Sequence, residues 1–167
     1  MNPAALAAVA AVGTLRLIEL WHARRNTAAL LAAGGVELGR RHYPLLVRLH
    51  AAWLLAIAVL VPASATVSWP LLGVFALLQL LRLWILVSLG QFWTTRVITL
   101  PGVPLVRRGP YRFMRHPNYL VVSAEILVLP LAFAAWKISL VFSILNAAIL
   151  IWRLRIENAA LAERPPA

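Results

Sequence analysis

Five long apolar runs constrain the fold of this chain more than any other feature. Each run approaches the ~20 residues that a helix needs to cross ~30 Å of hydrocarbon. Backbone amides and carbonyls in lipid must be satisfied within their own segment, so we expect helices rather than strands. The runs lie at about residues 4–20, 44–61, 70–90, 119–135 and 138–153. The sequence therefore predicts an all-α, polytopic integral membrane protein with about five transmembrane helices.

The composition supports a membrane protein and argues against a nucleic-acid partner. Of the 167 residues, 62% are hydrophobic and 13% are charged, whereas a soluble domain carries about 45–50% and about 25%. The net charge of +11 is strongly basic, but a nucleic-acid-binding protein needs a soluble basic face. Here the basic residues lie in short segments between apolar runs. We expect one membrane domain over residues 1–167 and no nucleic-acid binding.

The positions of the basic residues predict the topology. Residues 62–70 carry no charge, and no Lys or Arg precedes the first run. Under the positive-inside rule, this pattern places the N-terminus outside and the C-terminus in the cytoplasm. Heavy use of Ala, Leu and Arg is typical of a GC-rich bacterial genome, so a bacterial inner membrane is expected. The arginines of the predicted cytoplasmic segments are Arg24, Arg25, Arg40, Arg41, Arg96, Arg107, Arg108, Arg112, Arg115, Arg153, Arg155 and Arg164.

Several kinds of chemistry are absent from the sequence. The chain has no cysteine, which excludes disulfides, thiolate metal sites and a cysteine nucleophile. No P-loop or glycine-rich dinucleotide motif is present. The histidines show no metal-ligand spacing, and no acidic cluster would hold a hard cation, so we expect no metal site. The histidines are His22, His42, His50 and His116.

Residues 103–119 form the most informative segment. It contains four arginines, two tyrosines, Gly109 and His116, and we expect a non-helical connection that leads directly into the fourth run. Pro117 suits the first turn of that helix, whose free backbone N–H groups would attract a carboxylate or another anion. The alternative is a basic juxtamembrane loop that binds anionic lipid head groups.

A second pair of interest lies at the end of the fifth run. Arg153 and Glu157 are four residues apart and share one helix face. They could bind a zwitterion, with Glu157 on an ammonium and Arg153 on a carboxylate. The alternative is an ordinary surface ion pair beside the membrane.

Ionisable residues also occur within the apolar runs. Such groups are costly in lipid and usually face a protein interior. Arg82 and Glu125 lie deep in their runs, and we expect a structural ion pair between them. Arg16 and Glu19 lie near the end of the first run, so we expect them to reach the interface by snorkelling.

Together these motifs resemble the isoprenylcysteine carboxyl methyltransferase (ICMT) family. The resemblance rests on Leu105-Val106, on GPYRFMRHPNY at residues 109–119 and on Arg153-x-x-x-Glu157. The family pattern reads roughly L-V-x-x-G-x-Y-R-x-x-R-H-P-x-Y and then R-x-x-x-E-E, and the likeness is strongest over residues 70–163. Residues 34–44 also look like a bacterial branch of the family.

The resemblance implies an S-adenosylmethionine-dependent methyltransferase whose cofactor pocket is cytoplasmic and is closed by the two motifs. Arg153 would face the acidic group of the substrate, and His116 would act as a base or only hydrogen-bond the cofactor. Two departures stand out: Asn158 replaces the second Glu, and Val103 or Pro104 replaces a His that often precedes the Leu-Val pair. By position, the cofactor-binding residues would be Val103, Pro104, Leu105, Val106, Tyr111, His116, Pro117, Asn118, Tyr119 and Glu157.

The resemblance leaves the methyl acceptor open. It implies methylation of an oxygen on a lipophilic substrate, either a prenylcysteine-type carboxylate or a long-chain pyrone or phenolic lipid hydroxyl. Phospholipid N-methylation is an alternative. A different class is a non-catalytic membrane scaffold that binds anionic lipid through its arginines. Membrane lipid is an expected partner in each case, and the lipid-facing surfaces would permit a homo-oligomer.

Overall fold

Five helices form a membrane bundle in the computed structural model, which describes residues 1–40 and 43–162, with side chains through residue 159. Arg41, His42 and Arg164 lie outside these described residues. Four helices are long and apolar enough to cross a membrane, and a shorter apolar helix completes the predicted set of five. The helices are α1 (Pro3–Ala32), α2 (Tyr43–Leu60), α3 (Trp69–Leu89), α4 (Pro117–Leu131) and α5 (Trp136–Ala162). The all-α membrane fold is thus confirmed.

Two helices extend well beyond the apolar runs that predicted them. α1 has 30 residues and continues through Arg24 and Arg25, although the sequence predicted a connection from residue 21 onward. Residues 21–32 are polar enough to end the apolar run, but they contain no Gly or Pro and favour a helix. α1 ends only where Gly34 turns the chain with a φ of +89°. α5 similarly continues past residue 153.

α4 is shorter than α3, and this difference determines how deep the N-terminus of α4 lies in the bundle. The Ser68 amide donates to the Ala132 carbonyl at 2.8 Å, so the start of α3 and the end of α4 lie at one level. α3 has 21 residues and α4 has 15, which correspond to about 31 and about 22 Å at ~1.5 Å per residue. The N-terminus of α4 therefore lies about 9 Å deeper than the end of α3, and this leaves space for a recess.

The larger of two apolar clusters lies in the half of the bundle near the uncharged turns. Trp53 and Ile57 of α2 pack with Ile126 and Leu129 of α4 and with Phe133 in the following turn. The Asn2 amide donates to the Ala65 carbonyl at 3.0 Å and ties the start of α1 to the turn between α2 and α3. This close packing fixes the helices at one end, and the smaller apolar cluster toward the opposite end leaves space there for polar groups.

A network of four charged residues lies inside the bundle. Glu19 accepts hydrogen bonds from Arg82 Nε and Nη2, each at 2.7 Å, and from Arg16 Nη1 at 2.7 Å. Glu125 lies 2.8 Å from Arg16 and 3.4 Å from Arg82, and Gln79 donates to it at 2.8 Å. The predicted Arg82–Glu125 pair is confirmed.

The prediction that Arg16 and Glu19 would snorkel is wrong. Both side chains turn inward, because α1 places them against the charges of α3 and α4, where two cations meet two anions. A buried charge is stable only when it is paired in this way.

We expect Glu125→Leu to destabilise the bundle strongly. The change leaves Arg16 and Arg82 with a single carboxylate between them, and removing one partner of a buried ion pair costs about 3–5 kcal/mol. Gln79→Leu is the matched control, because it removes a neutral donor from the same carboxylate and should cost about 1 kcal/mol. Thermal unfolding in detergent measures both effects. Equal midpoints for the two variants would show that the charges contribute nothing beyond hydrogen bonding.

Candidate functional site

A polar cavity of about 660 Å³ occupies the recess above the N-terminus of α4. Its wall is built by the end of α3, the connection that follows it, the start of α4 and the last turns of α5. The side chains that it shares with the sequence predictions are Leu105, Val106, Tyr111, His116, Asn118, Tyr119, Arg153 and Glu157. The folding of the chain therefore brings both predicted motifs to one cavity.

Three predicted cofactor residues lie outside the wall of this cavity. Val103 and Pro104 line an adjoining, more open depression together with Leu105 and Val106. Pro117 is buried as the first residue of α4, as its lack of an N–H predicted. It places His116 immediately before the helix, where His116 is the N-cap residue.

A small antiparallel sheet, which the sequence analysis missed, supports one wall of the cavity. β1 (Val36–Leu38) pairs with β2 (Val97–Thr99), and Glu37 lies opposite Ile98. Arg96 lines the cavity, and its Nη1 lies 2.7 Å from the Glu37 carboxylate. The β-branched residues of β2 favour a strand, but three-residue strands are too short for a pattern in the sequence to reveal them.

The motif glycine allows the connection to pack against α3. Gly109 has a φ of +57°, and a Cβ built there would lie 2.0 Å from the hydroxyl oxygen of Ser88. The adjacent Arg108 donates from Nε to the Ser88 carbonyl at 2.6 Å. Only glycine combines that backbone conformation with so close an approach, and it starts the 3₁₀ turn that carries Tyr111.

Tyr119 joins the two residues of the second motif. Its hydroxyl donates to Glu157 Oε2 and accepts from Arg153 Nε at 2.6 Å. Arg153 is only 8% exposed, and its Nη1 donates to the Thr95 carbonyl at 2.8 Å. Arg153 and Glu157 therefore belong to a cluster in the cavity wall, and their direct separation of 3.8 Å is bridged by the tyrosine.

His116 contacts the same carboxylate from the other side. Its Nδ1 lies 3.5 Å from Glu157 Oε1, its Nε2 lies 2.9 Å from Asn158 Oδ1, and its ring stacks on Tyr119. The Glu157 carboxylate raises the pKa of the His116 imidazole above its ordinary value, with a further contribution from Asn158. Both ring nitrogens meet oxygen acceptors, an arrangement that the imidazolium form satisfies fully.

The remaining lining gives the cavity a positive character and an apolar rim. Burial raises the pKa of the Tyr111 phenol, so that this group stays neutral. Phe113 is 78% exposed and Met114 is 43% exposed, and both line the cavity. Among the described residues the lining holds a single acidic side chain, Glu157, against five arginines: Arg96, Arg107, Arg112, Arg115 and Arg153.

Sequence reasoning missed several of these lining residues. Trp93 is buried in the wall. For Arg96 the sequence predicts only a basic residue in a cytoplasmic segment. Phe113 lies within the motif at residues 109–119. An aromatic residue among arginines next to a membrane helix is typical of an apolar rim at the membrane surface, so the sequence offered a signal for this role.

The fold and the cavity define a polytopic membrane protein with an electropositive polar site at one end of its bundle. The profile of the isoprenylcysteine carboxyl methyltransferase (ICMT) family matches residues 71–163, more than half of the chain. The chain therefore belongs to this family of membrane methyltransferases, and the resemblance seen in the sequence is confirmed.

Two bacterial relatives are similar over nearly the whole chain. The uncharacterized protein YpbQ of Bacillus subtilis (strain 168) is 40% identical over 153 residues, which cover 89% of this chain and 90% of that protein. An uncharacterized protein of Haemophilus influenzae is 26% identical over 165 residues, which cover 94% of each chain. No solved structure matches the chain.

The His116–Glu157 contact predicts a pH-dependent stability. Because the pKa of His116 is raised in the folded state, the contact contributes fully below the unfolded pKa of about 6.5, and its contribution is lost as the pH rises through the folded pKa. We expect His116→Gln to lower the thermal midpoint more at about pH 6 than at about pH 9. His22→Gln is the control, since His22 is exposed and makes no ion pair within the described residues. A pH-independent difference for His116→Gln would contradict the assignment.

Proposed function

We propose that this protein is an S-adenosylmethionine-dependent membrane methyltransferase that methylates an anionic oxygen of a lipophilic acceptor. The observation that carries the proposal is the cluster of His116, Tyr119, Arg153 and Glu157 in the wall of one cavity. Methyltransferases of the family use S-adenosylmethionine, and both family motifs meet at this cluster.

The cavity residues suit this cofactor. A volume of about 660 Å³ falls within the ~300–1,000 Å³ of ordinary small-molecule sites. Glu157, the acidic residue of the lining, would hold the cofactor's ammonium group, and Asn118 and the arginines are donors for its carboxylate. Tyr111, which is half-buried in the lining, offers aromatic surface to the adenine. When bound, S-adenosylmethionine supplies a methyl group activated by a positively charged sulfur.

The departure at Asn158 is compatible with this role. Asn158 Oδ1 accepts from His116 Nε2 at 2.9 Å, so an amide oxygen takes the place that a second carboxylate would occupy. The asparagine thereby holds the imidazole against Glu157. The single remaining carboxylate of the pair is the one that hydrogen-bonds to Tyr119.

The charge of the lining favours an anionic acceptor. Arg96 is paired with Glu37, and Arg153 lies beside Glu157. The other lining arginines, which have no acidic partner among the described residues, are Arg107, Arg112 and Arg115. They would attract a carboxylate, a phenolate or an enolate and would repel the protonated amine of a phospholipid head group. The charge of the lining therefore supports O-methylation better than phospholipid N-methylation. The acceptor classes are a prenylcysteine-type carboxylate and a long-chain pyrone or phenolic lipid.

The residues would act mainly by positioning. A carboxylate acceptor is already ionised at neutral pH, so Arg153 would orient it, and no base is needed. For a phenolic or enolic acceptor, the neutral form of His116 would take the proton at Nε2, once the acceptor oxygen replaces Asn158 Oδ1 as the partner of that nitrogen. Phe113 and Met114 at the exposed rim would admit the acyl or prenyl tail from the bilayer, while the surrounding helices limit access of water.

The distribution of the arginines supports the proposed orientation. The cavity lies at the arginine-rich end of the bundle, and the positive-inside rule favours the cytoplasm for that end and the outside for the N-terminus. A soluble cofactor would then reach the cavity from the cytoplasm of a bacterial cell, and the lipid tail would arrive laterally through the inner membrane.

A non-catalytic scaffold that binds anionic lipid is the second candidate. Arg112 and Arg115 flank the exposed Phe113 and Met114, a combination that is also typical of a lipid-head-group site. That function needs no nucleotide ligand and no carboxylate at position 157, so cofactor binding separates the two candidates.

Calorimetric titration of the purified protein with S-adenosylhomocysteine tests the proposal. We expect saturable binding that Glu157→Ala and His116→Ala each weaken by about tenfold or more, since charge-assisted hydrogen bonds are lost. Arg155→Ala is the control, because Arg155 is exposed on the same helix and lies outside the cavity lining. Absence of binding by the folded wild type, in detergent and in nanodiscs, would favour the lipid-binding scaffold.

A further inference from the structure

The buried charge network lies directly beneath the cavity, and the proposed function makes no use of it. Ionisable groups within a membrane bundle are expensive to bury and commonly serve a site. Two of the four charges, Arg16 and Glu19, lie before residue 71, where the family match begins. The family match therefore does not cover these two residues, and their role must follow from the contacts that they make in this chain.

Arg82 connects the network to the cavity. Its Nε and Nη2 are both bound to Glu19 at 2.7 Å, which fixes the plane of the guanidinium group. The remaining nitrogen, Nη1, lies 3.4 Å from Asn118 Oδ1 and 3.4 Å from Glu125. The guanidinium carbon also lies 5.7 Å from the centre of the Trp93 ring. Asn118 and Trp93 both line the cavity.

This contact dictates the orientation of the Asn118 amide. A guanidinium group has only donors, so a neighbouring amide must turn its oxygen toward Arg82 and its NH₂ group away. No described residue accepts a hydrogen bond from Asn118 Nδ2. Since Asn118 lines the cavity, this NH₂ group is a donor available to a ligand there.

We infer that Arg82 is a positioning residue, which keeps Asn118 oriented as a hydrogen-bond donor toward the ligand in the cavity. The inference rests on the proposed function and adds to it a role for the intramembrane charges. The ligand group that Asn118 recognises is an acceptor, such as a carboxylate oxygen, a hydroxyl oxygen or a ring nitrogen of the bound nucleoside.

The rest of the network explains why Arg82 stays beneath the cavity. A long arginine side chain near a polar recess would otherwise extend into it, as snorkelling arginines do. The bidentate contact with Glu19 holds the guanidinium down, and Glu125 and Arg16 balance the charge. Arg82 therefore orients the Asn118 amide at the bottom of the cavity and does not itself enter the cavity.

Asn118→Asp is the sharpest test, because the new side chain has nearly the same shape. One carboxylate oxygen would still face Arg82, but the other would present an acceptor where the amide presents a donor. We expect the affinity for S-adenosylhomocysteine to fall by about tenfold or more, while the thermal midpoint stays unchanged or rises. Unchanged affinity in the folded variant would overturn the inference.

A matched pair of arginine variants tests the part played by Arg82. Arg16 and Arg82 both contact Glu19 and Glu125, but only Arg82 contacts the cavity residues. Lysine keeps the charge and loses the planar fork, so Arg16→Lys and Arg82→Lys should lower the thermal midpoint similarly. We expect only Arg82→Lys to weaken S-adenosylhomocysteine binding, by about tenfold. Equal affinities for the two variants would show that the network is only structural.

The wild type separates failure of this inference from failure of the proposed function. If the folded wild type does not bind S-adenosylhomocysteine, the proposed function is wrong and the inference is wrong with it. If the wild type binds, and both Asn118→Asp and Arg82→Lys bind equally well, the proposed function stands and Arg82 has no positioning role.

Discussion

The attachment of Glu125 to two arginines on neighbouring helices is the interaction on which the arrangement of the bundle depends. Glu125 is 3% exposed and lies within α4, where an unpaired carboxylate would be too costly to bury. Arg16 of α1 and Arg82 of α3 satisfy it and so hold the polar face of α4 toward both helices. At the other end of α4 the hydrogen bond from Ser68 to Ala132 sets its level. The N-terminus of the short α4 then lies below the end of α3, and the recess that becomes the cavity is a consequence.

In the cavity wall, which lies closer to solvent, charged groups are again held by partners from other segments of the chain. Here Glu157 is held by Tyr119 and faces His116, while Arg153 is anchored by Tyr119 and by the Thr95 carbonyl. Each charged group has partners from a different segment, so the site is pre-organised before any ligand binds. Such pre-organisation favours methyl transfer, in which the protein mainly aligns two reactants and excludes water.

Much of the fold and part of the site could be predicted from the sequence. Apolar length and backbone hydrogen bonding determine a helical membrane bundle, and the spacing of Arg153 and Glu157 places both on one face of α5. The end of α1 at Ala32 could not be predicted from hydropathy, because residues 21–32 change in polarity but not in helix propensity. The bridging role of Tyr119 could not be predicted either, because Arg153 and Glu157 lie 34 and 38 positions after Tyr119 in the chain.

The partners of the intramembrane charges could also be predicted only in part. Arg82 and Glu125 could be paired from their depth in the apolar runs. Glu19 could not be assigned to Arg82, since the contact spans 63 positions and depends on the packing of α1 against α3. Tertiary packing decides which of several possible partners meets a buried charge, and sequence position alone carries no such information.

Methyl transfer to lipid tests the central claim most directly. Membranes containing the protein would be supplied with methyl-labelled S-adenosylmethionine, a bacterial lipid extract and a synthetic prenylcysteine, and the organic phase would then be treated with base. The account predicts label on a lipid oxygen: base releases it as volatile methanol if the acceptor is a carboxylate and leaves it in place if the acceptor is a hydroxyl. Label on a phospholipid amine, or no transfer to lipid at all, would contradict the account.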